Sequence, residues 1–229
     1  MSAKKILISV ILFSSVNALV GCGSGGSNQL GMVPQHRLDL TVPPRPTPRR
    51  QMRPVNHVAV KTPATSDPWR TSGYRLWRYI VIHHSATDRG NAASFDQSHR
   101  ARGWDELGYH FVIDNGVGGP DGRIEVGSRW TKQKWGAHTG GTPNNEYNNH
   151  GIGICLVGDF SGHMPSRAQL ASLERLVRQL AGKYRIDPDN IIGHRDGPNA
   201  ATDCPGTVFM NWINRRFRPR IRTQLASVR

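Results

Sequence analysis

Short apolar runs recur along the chain after about residue 69, and their composition is typical of β-strands. The run at 79–84 is rich in β-branched residues and ends in two histidines. The run at 151–160 is continuous, as expected of a central strand covered on both faces. Five segments are predicted as strands or extended chain: 79–84, 107–114, 123–129, 151–160 and 190–194.

Helical periodicity is clearest between residues 166 and 183. Ser166 and Gln169 have the spacing of a capping box at its start. Five apolar residues then fall on one helical stripe: Leu170, Leu173, Leu176, Val177 and Leu180. Two further helices are predicted over 94–102 and 207–217. Strands mixed with helices predict an α/β fold, a single domain with a central mixed β-sheet flanked by helices.

Residues 1–21 have the pattern of a secretory signal peptide, with early lysines followed by an uncharged apolar stretch. This stretch is too short to span a bilayer comfortably. It ends in Leu19-Val-Gly-Cys, which resembles a bacterial lipobox and predicts that Cys22 carries a lipid anchor. An ordinary signal peptide with a chance cysteine is the alternative. Gly23 is not the aspartate often linked with inner-membrane retention, so we expect the periplasmic face of the outer membrane.

Composition separates a tether from a folded domain. Residues 22–68 hold many prolines and arginines but little apolar periodicity, which predicts an extended tether, and 69–229 is predicted as the domain. The formal net charge of +14 would permit nucleic acid, anionic lipid or an acidic polymer as partner. Export argues against nucleic acid, and the excess arginines near both ends of the mature chain are equally well explained as solvated tails.

The three cysteines are each explained without a disulfide. Cys22 is the predicted lipidation site, Cys155 lies inside an apolar run as a core residue, and Cys204 sits in a polar turn as a candidate ligand. We therefore predict no disulfide, although cysteines in an exported chain often form one.

Candidate metal ligands lie at the ends of predicted elements. His83, His84, His194 and Cys204 carry the nitrogen and sulfur donors that zinc prefers. Spacing alone does not establish a metal site. Because strand alternation sends His83 and His84 in opposite directions, only one should face a metal, and the pattern does not say which.

Six separated motifs occur in the order found in one family. They are Ile80-Val-Ile-His-His-Ser-Ala-Thr, Leu107-Gly-Tyr-His-Phe, Gly136-Ala-His-Thr, Ile152-Gly-Ile-Cys-Leu-Val-Gly-Asp-Phe, Gly193-His-Arg-Asp and Thr202-Asp-Cys-Pro-Gly. The chain thereby resembles the N-acetylmuramoyl-L-alanine amidases, which include peptidoglycan recognition proteins and phage amidase lysozymes. The resemblance covers about Tyr79 to Trp212 and implies a peptidoglycan recognition protein-like fold.

The resemblance implies one zinc ion held by His83, His194 and Cys204, with a fourth position left for water, as in catalytic zinc sites. It therefore selects His83 rather than His84. Pro205 suits the first position of a helix, which would place the Cys204 thiolate near a positive helix end.

The resemblance also assigns roles around the metal. Tyr109 is implied as a hydrogen-bonding or acid/base group, and Thr202 stands where phage members carry a lysine that stabilises the oxyanion. A hydroxyl is a weaker electrostatic stabiliser than an ammonium, which puts the rate in doubt but not the reaction class. His138, Asn148 and Asn149 lie in segments that line the substrate groove in relatives, although loop asparagines are often only turn formers.

The implied reaction is hydrolysis of the amide between N-acetylmuramic acid and L-alanine, in peptidoglycan or muropeptides, for wall turnover or recycling. We expect a monomer attached to the membrane through its lipid anchor. Two other hypotheses remain open at this point. One is a non-catalytic peptidoglycan-binding lipoprotein, and the other is a hydrolase with Cys204 as nucleophile and His194 as base.

Overall fold

A five-stranded sheet forms the centre of the computed structural model, which describes residues 69–71 and 73–227. The predicted signal peptide, Cys22 and the tether lie outside the described residues. Within the described residues, no helix combines the length and apolarity needed to cross a bilayer.

The sheet is mixed, with strand order β3-β2-β4-β1-β5. Its strands are Tyr79–His84 (β1), Phe111–Ile113 (β2), Ile124–Val126 (β3), Gly151–Leu156 (β4) and Ile191–Gly193 (β5). Neighbouring strands β2, β4, β1 and β5 are parallel, and only β3 runs antiparallel, against β2. The expected α/β fold with a central mixed sheet is confirmed.

Helices flank this sheet. They are Ala92–Ala101 (α1), Ser128–Thr131 (α2), Glu146–His150 (α3), Arg167–Tyr184 (α4), Thr207–Trp212 (α5) and Arg218–Ala226 (α6). A π-helical turn, Ile213–Phe217, joins α5 to α6. Three short 3₁₀ turns are Pro143–Asn145, Pro188–Asn190 and His194–Asp196.

The strands are shorter than their apolar runs suggested. Regular pairing in the segment 107–114 is limited to β2. At its start the Leu107 carbonyl and Gly108 amide are bonded to side chains of Arg129 and His99. The segment 123–129 leaves the sheet after β3, with Gly127 as the N-cap of α2. In the apolar run at 151–160 the regular strand ends with β4, although the Val157 amide still donates to the Ile113 carbonyl.

The helical expectations were accurate in place but not always in length. The capping box at the start of α4 is present, and its apolar stripe is buried except at Leu170, which is half-buried. The predicted helix over 207–217 continues to Ala226 because Phe217 and Ile221 still face the core within a segment dominated by arginine. Because charged residues are frequent in this segment, the sequence pattern did not predict which of its residues face the core.

The two faces of the sheet carry different kinds of side chain. One face packs the main apolar core against α4 and the C-terminal helices. On the other face, register places His83 beside Cys155, and Cys155 beside Val112. These side chains share a face because paired residues in adjacent strands point the same way. This second face carries the polar cluster described below.

Parallel pairing brings two candidate ligands to one edge of the sheet. Ile82 of β1 is opposite Gly193 of β5, so His83 and His194 both follow at the carboxyl ends of neighbouring strands. The fold therefore assembles residues that are more than a hundred positions apart in the chain.

We expect Ser166→Ala to lower the free energy of unfolding by about 1 kcal/mol, because it removes an N-cap. The Ser166 hydroxyl accepts the Gln169 amide at 3.0 Å and donates to Asp121 Oδ1 at 2.7 Å. Urea unfolding measures the difference. Ser227→Ala, at an exposed position near the chain end, is the matched control and should change stability by less than about 0.5 kcal/mol. Equal stability of the two variants would contradict a stabilising cap.

Candidate active site

Three potential metal ligands meet at the carboxyl edge of the sheet. One ligand atom each from His83, His194 and Cys204 lies within 4.8 Å of the others. His83 is the next-to-last residue of β1, His194 directly follows β5, and Cys204 lies in the loop before α5. The structure thus brings together all three ligands that the sequence resemblance implied.

His83 is buried and has a partner at each ring nitrogen. Its Nδ1 lies 3.6 Å from Cys204 Sγ, and its Nε2 lies 3.1 Å from His138 Nδ1. Burial, together with the nearby imidazoles of His138 and His194, lowers the pKa of His83 well below its usual value. His83 is therefore in the neutral form, which is the form that binds metals.

Cys204 is buried beside the backbone of β1. The His84 amide N–H points to Cys204 Sγ at 3.4 Å, and the Arg195 amide donates to the Cys204 carbonyl at 2.8 Å. Burial raises the pKa of the Cys204 thiol to about 12, although the His84 N–H favours the thiolate. The thiolate consequently depends on a nearby positive charge, which metal coordination provides.

The expected helix position of Pro205 was wrong. The helix α5 begins at Thr207 with Gly206 as its N-cap, so Pro205 precedes the helix instead of opening it. The His84 amide is the local group that favours the Cys204 thiolate, whereas burial favours the thiol. The residue type at 205 suited a helix start, but the backbone first turns through Gly206, whose φ is 96°.

His84 points away from His83, as strand alternation required. Its Nδ1 accepts the Phe160 amide at 3.2 Å and lies 3.6 Å from Asp159. This arrangement leaves His83 as the strand residue that faces the other two ligands.

A cavity of about 450 Å³ opens over the cluster. Its lining includes the three candidate ligands as well as Tyr109 and Thr202. It also includes side chains to which the sequence had assigned no role: His99, Arg102, Trp104 and Thr139. His99 is the buried residue of α1. The weak apolar periodicity of this helix did not predict that His99 faces inward.

Tyr109 stands beside His83, with ring centroids 5.2 Å apart. Burial raises the pKa of Tyr109 well above its usual value, and the neighbouring Cys155 and Cys204 thiols add to this effect. The phenol therefore stays protonated and can donate a hydrogen bond. Cys155 is fully buried beneath it, as expected of a core residue, and neither Cys155 nor Cys204 forms a disulfide.

Thr202 lies two residues before Cys204 and lines the same cavity. Its Oγ1 accepts the Cys204 amide at 3.2 Å. Accepting that bond leaves the hydroxyl proton free to be donated elsewhere.

The three residues expected in the substrate groove have different placements. His138 lines the cavity but is buried, and its ring nitrogens face His83 and the Gly151 carbonyl. Asn148 also lines the cavity, yet its side chain is occupied by backbone groups of His138 and Thr139. The Asn148 side-chain amide thereby holds in place the loop that contains His138 and Thr139.

Asn149 is placed away from the cavity. Its side-chain amide donates to the Asn144 carbonyl at 3.0 Å, and its own carbonyl accepts two bonds from Arg75. Asn149 is not among the residues that line this cavity, and the substrate contact expected of it stays a prediction. Asn148 and Asn149 are adjacent in a short helix, so their side chains point in different directions. The sequence pattern did not predict this difference.

The donor set fits zinc. Two neutral imidazoles and one thiolate, held close together and open to a cavity, match the three-ligand arrangement of catalytic zinc sites. Oxygen-preferring cations such as Mg²⁺ suit this set poorly, because two of its donors are nitrogen and one is sulfur.

Comparison with known proteins places these residues within one family. Residues 73–207 match the family described as N-acetylmuramoyl-L-alanine amidase. The N-acetylmuramoyl-L-alanine amidase of Sus scrofa is 30% identical over 164 residues, which cover 65% of this chain and 25% of that protein. The chain thus spans about a quarter of this mammalian relative.

The chain is also similar to solved structures, of which two examples follow. The N-acetylmuramoyl-L-alanine amidase LysC from Clostridium intestinale has a TM-score of 0.52 and 28% identity, covering 68% of this chain and 95% of LysC. A complex of tracheal cytotoxin with the ectodomains of peptidoglycan recognition proteins LCa and LCx has a TM-score of 0.50 and 28% identity. That match covers 62% of this chain and 82% of the compared chain.

We expect the purified protein to hold about one zinc ion per chain, and Cys204→Ala to lose most of it, because one of three protein ligands is removed. Elemental analysis after dialysis measures the zinc content. Cys155→Ala removes the other described cysteine, outside the cluster, and should retain the metal. Equal zinc in the two variants would show that Cys204 is not a ligand.

Proposed function

Because this chain belongs to the N-acetylmuramoyl-L-alanine amidase family, we propose that it is a zinc-dependent enzyme that cuts the amide between N-acetylmuramic acid and L-alanine. Its substrate is peptidoglycan or a muropeptide released from it. The observation that carries this proposal is the His83, His194 and Cys204 cluster, which opens directly into a cavity. A purely structural zinc site would be closed by a fourth protein ligand.

When bound by these residues, zinc supplies Lewis-acid polarisation of the scissile carbonyl and activation of a water molecule. The protein contributes the geometry of the site. Both imidazoles are held neutral by burial, so they offer lone pairs at neutral pH. The Cys204 thiolate provides the single negative charge of the set and leaves a dication only partly neutralised.

Tyr109 and Thr202 are the proposed hydrogen-bond donors to the oxygen of the scissile carbonyl. Tyr109 remains a neutral phenol because burial raises its pKa. In its bond with the Cys204 amide the Thr202 oxygen is the acceptor, so the hydroxyl proton is available for donation to the substrate. Donors directed at an oxygen that gains charge stabilise the transition state more than the ground state.

The size of the cavity suits part of a muropeptide. A volume of about 450 Å³ is within the range of ligand pockets and accommodates the bond to be cut with groups on either side. The structurally similar recognition-protein complex contains tracheal cytotoxin, a muropeptide. This similarity supports a peptidoglycan fragment as the ligand class for the present cavity.

We place the enzyme in the cell envelope, on the strength of its N-terminal sequence. Lipidation of Cys22 and the tether over 22–68 would hold a monomeric domain at the periplasmic face of the outer membrane. A tethered enzyme reaches wall close to its own membrane, which suits wall turnover or recycling.

The competing hypothesis of a Cys/His hydrolase gains little from the geometry. It requires His194 as the base for Cys204, whereas the imidazole nitrogen 3.6 Å from Cys204 Sγ belongs to His83. It also leaves Tyr109 without a role. Chelation and thiol alkylation distinguish the two mechanisms, as described below.

Muropeptides incubated with the zinc-loaded protein should release the intact stem peptide with a free L-alanine amine, detected by mass spectrometry. His83→Ala should abolish release, because it removes a ligand. His163→Ala changes an exposed histidine outside the cluster and serves as the matched control.

Each other outcome of this assay has a defined meaning. Release that survives chelation but stops on alkylation of Cys204 would replace the zinc mechanism with the Cys/His mechanism. Zinc-loaded protein that binds muropeptides and releases nothing would identify a non-catalytic binding protein.

Tyr109→Phe should lower kcat by roughly 10²- to 10³-fold, the usual effect of removing one oxyanion donor, while zinc content is unchanged. Steady-state kinetics on a defined muropeptide and zinc analysis provide the two measurements. Tyr74→Phe, at an exposed tyrosine, is the control and should be fully active. An unchanged kcat in Tyr109→Phe would remove this phenol from the mechanism.

A further inference from the structure

A line of hydrogen-bonding groups runs from His83 through His138 to the backbone of β4. His83 Nε2 lies 3.1 Å from His138 Nδ1, and His138 Nε2 lies 3.2 Å from the Gly151 carbonyl oxygen. All of these contacts are buried. The line therefore joins a candidate metal ligand to the backbone at the start of β4.

The chemistry of this line fixes the position of each proton. A carbonyl oxygen only accepts, so His138 Nε2 must carry the hydrogen that it donates to Gly151. In a neutral imidazole the other nitrogen is then bare, and His138 Nδ1 is an acceptor. The facing His83 Nε2 must in turn be the donor, which leaves the lone pair of His83 on Nδ1.

The free lone pair of His83 is on the side of the other ligands. His83 Nδ1 is the ring atom that lies 3.6 Å from Cys204 Sγ. We propose that His138 is a positioning residue that holds His83 in its Nε2–H tautomer and so presents Nδ1 as the metal-ligating atom. This inference rests on the proposed function, because it requires zinc at the cluster.

The ring of His138 is itself held in place. Its backbone amide donates to Asn148 Oδ1 at 2.7 Å, which fixes the loop. Two glycines make room for the imidazole. A Cβ at Gly136 would lie 2.3 Å from His138 Cδ2, and one at Gly153 would lie 2.4 Å from it. A rigid partner of this kind restricts both the orientation and the tautomer of the ligand that it contacts.

This arrangement assigns His138 a different role from a substrate contact. Its two ring nitrogens are committed to His83 and Gly151, so neither is left for a sugar or peptide. The expected consequence of changing it is a looser metal site with a misoriented His83. Its influence on hydrolysis would follow from that change.

The tautomer is tested directly by long-range ¹H–¹⁵N NMR of the zinc-loaded purified protein. We expect His83 to carry its proton on Nε2 and to coordinate through Nδ1. Coordination through Nε2, with the proton on Nδ1, would overturn the proposal. The spectrum is recorded on the wild-type protein, so it does not depend on whether any variant folds.

Zinc affinity, measured by competition with a chromophoric chelator, provides the second test. His138→Phe keeps a ring of similar shape but removes the acceptor, and it should weaken zinc binding roughly 10- to 100-fold. His138→Gln should recover most of this loss, because its carbonyl can accept from His83 and its amide can donate to Gly151. His163→Ala should leave the affinity unchanged.

Equal affinity of His138→Phe and wild-type protein would contradict the positioning role. A similar loss in His138→Phe and His138→Gln would attribute the effect to packing and would also contradict it. Neither measurement uses a substrate. A protein that binds zinc as described but cleaves no muropeptide would overturn the proposed function and leave this inference standing.

Discussion

The parallel pairing of β1 with its two neighbours is the constraint on which the candidate site depends. Pairing with β5 sets His194 beside His83, and pairing with β4 sets Cys155 beside His83. A slip of one residue in β1 would turn His83 to the opposite face of the sheet. The ladder of backbone hydrogen bonds thus determines which candidate metal ligands meet at this edge of the sheet.

Much of this architecture could be predicted from the sequence. The capping box at Ser166 and the leucine stripe after it located α4 to within one residue, because both are local patterns. The strand at 79–84 was also predicted with its observed limits. The strands predicted over 107–114 and 151–160 are longer than the observed β2 and β4. Apolar composition indicates which residues are buried, but it does not indicate where the hydrogen bonds between strands end.

The candidate metal ligands could be predicted from the sequence, whereas the placement of the residues around them could not. The order of motifs identified His83, His194 and Cys204 through resemblance, and the fold brings them together. The separate placements of His138 and Asn149 depend on side-chain directions in loops, which follow no sequence period. The role of Pro205 was misjudged for a related reason, since one intervening glycine displaced the start of α5.

The close approach of His138 to two glycines carries a consequence for how this protein can vary. Gly153 lies in a central strand, where a residue without a side chain normally weakens the sheet, and Gly136 lies in a distant loop. Neither has a group capable of chemistry, yet a single added methyl at either would collide with the same imidazole. The replacements tolerated around the His83, His194 and Cys204 cluster are therefore limited partly by the space that the His138 ring occupies. Harmful replacements should include glycine positions that have no reactive side chain.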